Sequence, residues 1–301
     1  MKIIINDTLT LVKQINKVKN ENFIAIDTEF IRESTYFSKL CLVQIATEKL
    51  SFIIDALSPK INLDPLWELL KLKTQIKVMH SCRQDIEIFY KETGQIPCPI
   101  FDTQIAAMVC GYGDQIGYDQ LVKSILDIKI DKSIRVSDWS FRPLNNKQLD
   151  YALADVIYLA KIYPLLKSQI EKNKRDVWIR DEMSNLSDKE YYSINPDRAW
   201  EKIKVRSSKG EFLNRIKFLA SWREKLAIKK DIPKNRIIRD ETILDIASTN
   251  PKTISVFDRI RGMPGGSSGK LAPDIISVLY DAEKVKDIDF PSQQDNSKKK
   301  L

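Results

Sequence analysis

The sequence holds one histidine, His80, and four cysteines (Cys41, Cys82, Cys98, Cys110) that form no Cys-x-x-Cys pair. Zinc sites built from several histidines are thereby excluded, and a disulfide framework does not suit a chain of this size. Ser-His-Asp hydrolysis is confined to whatever His80 can reach. Long apolar runs are missing too. Stretches such as residues 23–26 and 53–54 are far from the roughly 20 apolar residues of a membrane helix, so no membrane partner is expected. The opening Met1-Lys2-Ile3-Ile4-Ile5-Asn6-Asp7 turns polar too early for a secretory signal, and a cytoplasmic location is the expectation. Chemistry in such a chain must lean on carboxylates.

Charge is what the chain has in quantity: 49 Lys+Arg against 41 Asp+Glu, a net +8. The excess is uneven. Residues 1–170 carry 21 basic and 20 acidic side chains, whereas residues 171–301 carry 28 and 21. A near-neutral front joined to a basic back suggests a catalytic unit followed by one that holds a polyanion, although abundant surface lysine would give the same charge. A length of 301 residues accommodates two domains.

The front half alternates strand-like and helix-like patterns. Residues 23–26, 40–46, 51–55 and 76–79 are short runs rich in Ile, Val, Leu and Phe that read as strands, the first three spaced closely enough to pair antiparallel. Helical patterns cover residues 64–72, 82–92 before Gly94, 103–110 before Gly111, and 146 to about 171. This order predicts an α/β or α+β domain around a mixed sheet over residues 1–170. Beyond it the strand signal fades. Residues 171–208 read as a charged helical linker broken at Asn195-Pro196, and residues 209–287 as a small all-helical domain near the size at which one core suffices. Residues 288–301 form a basic tail that ends in three lysines and is expected to be disordered.

Three local patterns carry chemistry. Asp27-Thr28-Glu29 follows the strand at 23–26, and residues i and i+2 of a strand share a face, so both carboxylates can reach one point at the sheet. Taken alone, a solvated strand end is the better explanation of that pair. Asp85 falls in the first turn of the helix at 82–92, where an acid could merely answer the helix dipole, worth about 0.3–1 kcal/mol. Tyr151 and Asp155 share a helix face beside the stripe Leu149, Leu153, Val156 and Leu159. An aspartate there is costly unless it is paired or bound to a metal. Gathered at one sheet the acids repel, by about 4 kcal/mol for unit charges about 4 Å apart at an effective dielectric near 20. Hard divalent cations relieve that cost, and all-oxygen ligands select Mg²⁺ or Mn²⁺ over zinc. Two such ions about 3.5–4 Å apart serve in-line phosphodiester displacement.

Together these motifs resemble the ribonuclease D family, in the tyrosine subclass of the 3′–5′ exonuclease superfamily named for its Asp-Glu-Asp-Asp carboxylates. The resemblance runs through Asp27-Thr28-Glu29-Phe30, Leu40-Cys41-Leu42-Val43-Gln44-Ile45, His80 with Asp85, and Asp102-Thr103-Gln104. It continues through Ser137-Asp138-Trp139, Arg142-Pro143-Leu144 and Tyr151 with Asp155. Residues 212–286 resemble the HRDC helical domain shared by RecQ-type helicases and ribonuclease D. The cues are Trp222-Arg223, Asp231-Ile232-Pro233, Asp240, Leu244, Ile246-Ala247, Pro251 and Ile260-Arg261-Gly262. Some members carry two copies of that domain, whereas this sequence has room for one.

The resemblance implies a ribonuclease H-like mixed-sheet exonuclease domain followed by an HRDC-like nucleic-acid-binding domain. It implies a metal-dependent 3′–5′ exoribonuclease that acts on single-stranded RNA 3′ ends, transfer RNA precursors among them, and releases 5′-monophosphates; separately, a monomer without a small-molecule cofactor is the expectation. Asp27 would bridge two metal ions, Glu29 and Asp155 would complete the nucleophile-side site, Asp85 would support the leaving-group side, and Tyr151 would hold the attacking water. With a reference pKa near 10, about one phenol in a thousand is ionised at pH 7, so Tyr151 is expected to orient the water rather than deprotonate it.

Thr28, Phe30, Gln44 and Trp139 are the candidate substrate contacts. Gln44 would touch the substrate backbone, and Phe30 and Trp139 would stack on bases at about 1–3 kcal/mol each, with core packing an equal alternative. His80 reads as structural, because the histidine subclass places its base five residues before the last aspartate, where Asp150 stands here. Cys82 reads as packing and Asp102 as an N-cap. Arg206, Lys209, Arg215, Lys217, Arg223, Lys229 and Lys230 are candidates for phosphate contacts, and Lys298–Lys300 for a solvated tail. Two rivals remain at this point. A DNA exonuclease would use the same carboxylates, since discrimination rests on 2′-hydroxyl contacts that no motif reveals. A catalytically silent RNA-binding scaffold is the other, though it has no need of four mutually repelling acids.

Overall fold

A computed structural model of the protein describes residues 2–131, 133–205 and 210–285. The chain divides into two compact units, Met1–Arg32 with Ser38–Ser193, and Glu33–Phe37 with the chain from Ile194 onward.

The first unit is built on six strands: β1 (Ile4–Ile5), β2 (Phe23–Ile31), β3 (Lys39–Ala46), β4 (Ser51–Asp55), β5 (Ile76–Met79) and β6 (Ile100–Asp102). Their order is β1-β4-β3-β2-β5-β6. β2, β3 and β4 pair antiparallel, as their close spacing predicts, while β5 and β6 continue the sheet parallel to β2. The β-branched and aromatic runs favour a half-buried pleated surface, which is why these segments are strands. Strand β2 runs on to Ile31, so Asp27 and Glu29 lie within it rather than at its end; a register shift separates Glu29 from Phe30.

One sheet face carries α1 (Thr8–Val18), α2 (Asp64–Leu70) and α3 (Arg83–Thr93), which share a core with Ile24, Ile26, Val43, Ile45, Phe52 and Ile54. The other carries α4 (Thr103–Cys110), α5 (Tyr118–Leu126) and the long α6 (Asn146–Lys172). Asn145 opens α6 with a capping box, its side chain accepting from the Gln148 amide at 2.9 Å while Gln148 Oε1 accepts from the Asn145 amide at 3.0 Å. Such a cap stabilises a helix by about 1 kcal/mol. The α6 stripe then packs on the sheet in two patches. Val156, Leu159, Ala160 and Tyr163 meet Ala25, Ala46 and Val78; Leu149, Ala152 and Leu153 meet Leu42, Ile53 and Trp139. Each fully buried aliphatic side chain contributes about 1.5–3 kcal/mol, so α6 is held firmly where Tyr151 and Asp155 project.

Residues 171–208 are not one linker. The helix α7 (Asp176–Leu186) belongs to the first unit, with Ile179 packed beside α4 and α6 and Leu186 in the core of the opposite face, whereas the 3₁₀ segment Pro196–Lys202 packs on α8 (Gly210–Lys230) in the second. That second unit is completed by α9 (Asp240–Thr249) and α10 (Ala272–Lys284) around Ile216, Leu219, Ala220, Ile243, Ile246, Phe257, Ile275 and Leu279. Two of the expected phosphate contacts fall inside it. Arg223 is 0% exposed and donates to the Ile238 carbonyl at 2.9 Å and to Asp240 at 2.7 Å. Arg215 donates to the Ala247 carbonyl at 2.7 Å. Both guanidiniums tie helices together instead of facing a ligand. Arg206, Lys209 and the tail 288–301 lie outside the described residues. Among the described residues no helix is long and apolar enough to cross a membrane.

Candidate active site

Strand β2, central in the sheet, presents Asp27 and Glu29 on its α6 side, and α6 presents Asp155 toward them. One oxygen from each of these three carboxylates lies within 4.8 Å of the others. Asp85, in the first turn of α3, stands outside that triad; it accepts a hydrogen bond from the Thr28 hydroxyl and is near enough to Asp27 for their charges to interact. Thr28 is buried, so its side chain steadies Asp85 and has no surface to offer a substrate.

Electrostatics reports how tightly the acids are confined. Burial, and then the charge of Asp155, pushes the Asp27 carboxyl up to about 8. Burial followed by Asp27, Asp155 and Asp85 pushes Glu29 up to about 10. Asp85 rises to about 8 through burial and Asp27, against the Thr28 hydrogen bond. Asp155 rises to about 7 through burial, opposed by a hydrogen bond from Tyr151 and the charge of Arg135. Like charges in a desolvated pocket hold their protons unless a cation replaces them. The Tyr151 phenol is itself pushed well above its ordinary value by burial, Asp155, Glu29 and Asp27, which makes it a still poorer base than a free tyrosine.

The donor set fits a hard divalent ion. It is all carboxylate, with no sulfur or nitrogen ligand, and the buried Asp155 Oδ1 has no hydrogen-bond partner among the described residues.

The remaining candidates fall elsewhere. Trp139 is 2% exposed and packs behind Tyr151, ring centroids 6.1 Å apart, so it braces the phenol and cannot stack on a base. Gln44 is 0% exposed and is likewise sealed from any substrate in this fold. Phe30 is half-buried against the sheet core, with part of its ring left accessible. His80 is half-buried, with Nδ1 3.0 Å from the Thr103 hydroxyl and its ring against Tyr118; desolvation holds its pKa below the usual value. Asp102 caps α4 by accepting from the Gln104 amide at 2.8 Å, and it also accepts from the Ser81 and Cys82 amides.

Two further residues bear on the acids. Tyr118 donates to the Asp155 and Ala154 carbonyls, fixing the turn of α6 that carries Asp155. Arg135 is exposed, yet its charge acts on Glu29, Tyr151 and Asp155. It sits between Ile134, which packs against the cluster that contains Trp139, and Val136, which is 96% exposed. The segment is anchored by Arg142, whose Nε and Nη2 donate to Asp55 at 2.8 and 2.6 Å and whose Nη1 donates to the Trp139 carbonyl at 2.7 Å. Neither residue is marked by spacing. Only the fold carries them to the acids.

Comparison with known proteins agrees with this geometry. Residues 3–171 match the family profile described as 3′-5′ exonuclease, and residues 212–279 match the HRDC domain. The chain is 41% identical to ribonuclease D of Zymomonas mobilis over 294 residues, which span 97% of this chain and 75% of that protein. It is 42% identical to ribonuclease D of Granulibacter bethesdensis over 91% of this chain and 70% of that one. The crystal structure of Escherichia coli RNase D, described as an exoribonuclease involved in structured RNA processing, superposes with a TM-score of 0.87 at 28% identity, covering 95% of this chain and 76% of that one. With an acid triad on a mixed sheet and an HRDC unit later in the sequence, the chain belongs to the ribonuclease D family of 3′–5′ exoribonucleases.

Proposed function

We propose that this chain trims the single-stranded 3′ ends of transfer RNA precursors and other small structured RNAs, one nucleotide at a time, releasing 5′-monophosphates. The observation that carries the reading is the meeting of Asp27, Glu29 and Asp155 oxygens within 4.8 Å in a pocket whose burial resists their ionisation. A pair of Mg²⁺ or Mn²⁺ ions bound there would supply water activation and neutralise the charge that develops on the phosphate. Asp27, Glu29 and Asp155 would hold such ions on the attacking side, with Asp27 shared and Asp85 supporting the leaving-group side. Tyr151, braced by Trp139, would orient the nucleophilic water through its hydroxyl. Arg135 stands where the guanidinium can meet a phosphate of the incoming strand.

In the helical unit, Lys217, Lys225 and Lys229 line one groove with Phe218 and Trp222, a pairing of cations with flat rings that suits single-stranded nucleic acid. The free thiols of Cys41, Cys82, Cys98 and Cys110 suit a reducing, cytoplasmic setting, and the chain is read as a monomer. The test is a time course on 3′-extended transfer RNA with Mg²⁺ or Mn²⁺, wild type beside Asp27→Asn, and matched RNA and DNA oligonucleotides alongside. Stepwise shortening of the RNA by wild type alone is expected. Faster loss of the DNA overturns the RNA assignment, and tight RNA binding without nucleotide release favours a scaffold.

A further inference from the structure

We propose that the Gln44 carboxamide is a positioning donor that holds the Asp27 and Asp155 carboxylates in their metal-binding arrangement, an inference that rests on the metal-site reading above. Gln44 stands on β3 directly opposite Asp27 on β2. Directly opposed residues of antiparallel strands project to the same face, with Cβ atoms about 4.5–5.5 Å apart. That face lies under α6. Two residues before Gln44, Leu42 packs with Leu149, Ala152 and Leu153; two residues after it, Ala46 packs with Val156, Leu159 and Ala160. Gln44 thus occupies the seam between two apolar patches, beneath the stretch of helix that carries Asp155.

Gln44 is fully buried, and neither its Nε2 nor its Oε1 has a hydrogen-bond partner among the described residues. Leaving a buried amide unsatisfied costs about 1–3 kcal/mol. Its neighbours on this face of β3 are leucine and alanine, so for stability alone an apolar side chain would serve better. Asp155 Oδ1, on the helix that covers this face, is also without a partner among the described residues. A carboxylate that turns one oxygen to an ion needs a donor to hold the other, and such supporting partners fix the orientation of metal ligands. The amide of Gln44 is a donor that carries no titrating proton, placed across the strand pair from Asp27, while Tyr151 bonds Asp155 from the same helix.

Gln44→Met keeps the side-chain length and removes both polar atoms, and Gln44→Leu is a second apolar replacement. Melting temperature is measured across a Mn²⁺ titration for wild type and both variants, without RNA. The expected result is a metal-free melting temperature equal to or above wild type, together with Mn²⁺ affinity lowered about tenfold to a hundredfold. Wild-type affinity in both variants overturns the proposal. A lower metal-free melting temperature, or failure to fold, overturns it too, because the amide would then be serving the fold. A wild type whose melting temperature does not respond to Mn²⁺ overturns the metal-site reading and this inference together, whereas a response shared equally by the variants overturns Gln44 alone.

Discussion

In the helical unit Arg223 is buried completely, and its two terminal nitrogens are answered by the Ile238 carbonyl and Asp240. In the exonuclease unit Asp27 and Glu29 of β2 meet Asp155 of α6, and Asp85 of α3 adds its charge to Asp27 from beside them; Arg135 stands exposed, its charge acting on Glu29 and Asp155. Both arrangements desolvate charge, which is unfavourable by itself. The first recovers the cost with hydrogen bonds and ends as architecture. The second sets like charges together, which strengthens their hold on protons and favours a cation that would take the protons' place. Buried charge that is paired marks structure in this molecule, and buried charge of one sign marks the site.

Removing one acid should split the two roles most widely. Asp27→Asn is expected to lower turnover at least about a thousandfold, equivalent to about 4 kcal/mol of barrier, while raising the metal-free melting temperature because one repulsive carboxylate is gone. A drop in both would mean that Asp27 serves the fold.

Breaking the paired charge should act in the opposite sense. Arg223→Met is expected to destabilise the helical unit by about 1–3 kcal/mol, the cost of the hydrogen bonds lost, read by thermal melting, with little effect on hydrolysis of a dinucleotide. Turnover loss on the dinucleotide at a temperature where the variant is folded would break the contrast.

Tyr151→Phe should reduce kcat about tenfold to a hundredfold with the Mn²⁺-dependent rise in melting temperature unchanged, as befits an orienting hydroxyl. Full turnover in this variant removes the phenol from the mechanism.

The acids also set a pH signature. Their folded values lie above the ordinary carboxylate range near 4, with Asp155 at about 7 and Asp27 and Asp85 at about 8. The folded state therefore retains protons that the unfolded chain has released, and metal-free stability should fall as pH rises from about 4 to about 8. Metal binding displaces those protons, so the stabilisation by Mn²⁺ should be larger at pH 8 than at pH 6. A metal effect independent of pH would show that the acids are ionised before the ion binds. Smallest of all, Lys229→Gln should raise KM for RNA two- to threefold, about 0.5 kcal/mol, and lessen the salt slope by about 0.7, with kcat unchanged.

Much of the site was legible because its elements announce themselves locally. The β-branched run before Asp27, the glycine stops after α3 and α4, and the four-residue spacing of Tyr151 and Asp155 each depend on neighbours in sequence. So does the N-cap at Asp102. Short elements without a full period, such as β1 and β6, escaped notice, and so did α5. The bulge after Glu29 that lets β2 continue to Ile31 was equally silent.

The amino-acid sequence by itself determined which carboxylates the protein has, the strand and helix each one rides on, and that a helical unit follows, because propensity and periodicity act over a few residues. Tertiary structure alone decided that Trp139 and Gln44 lie under the site instead of facing RNA, that Arg223 is an internal strut, that Thr28 holds Asp85, and that Tyr118 and Arg135 belong to the acids' surroundings. Those outcomes follow from burial and cross-strand register, which are set by contacts between segments dozens of residues apart, and no local pattern encodes which of two equally apolar or equally charged faces ends up inside.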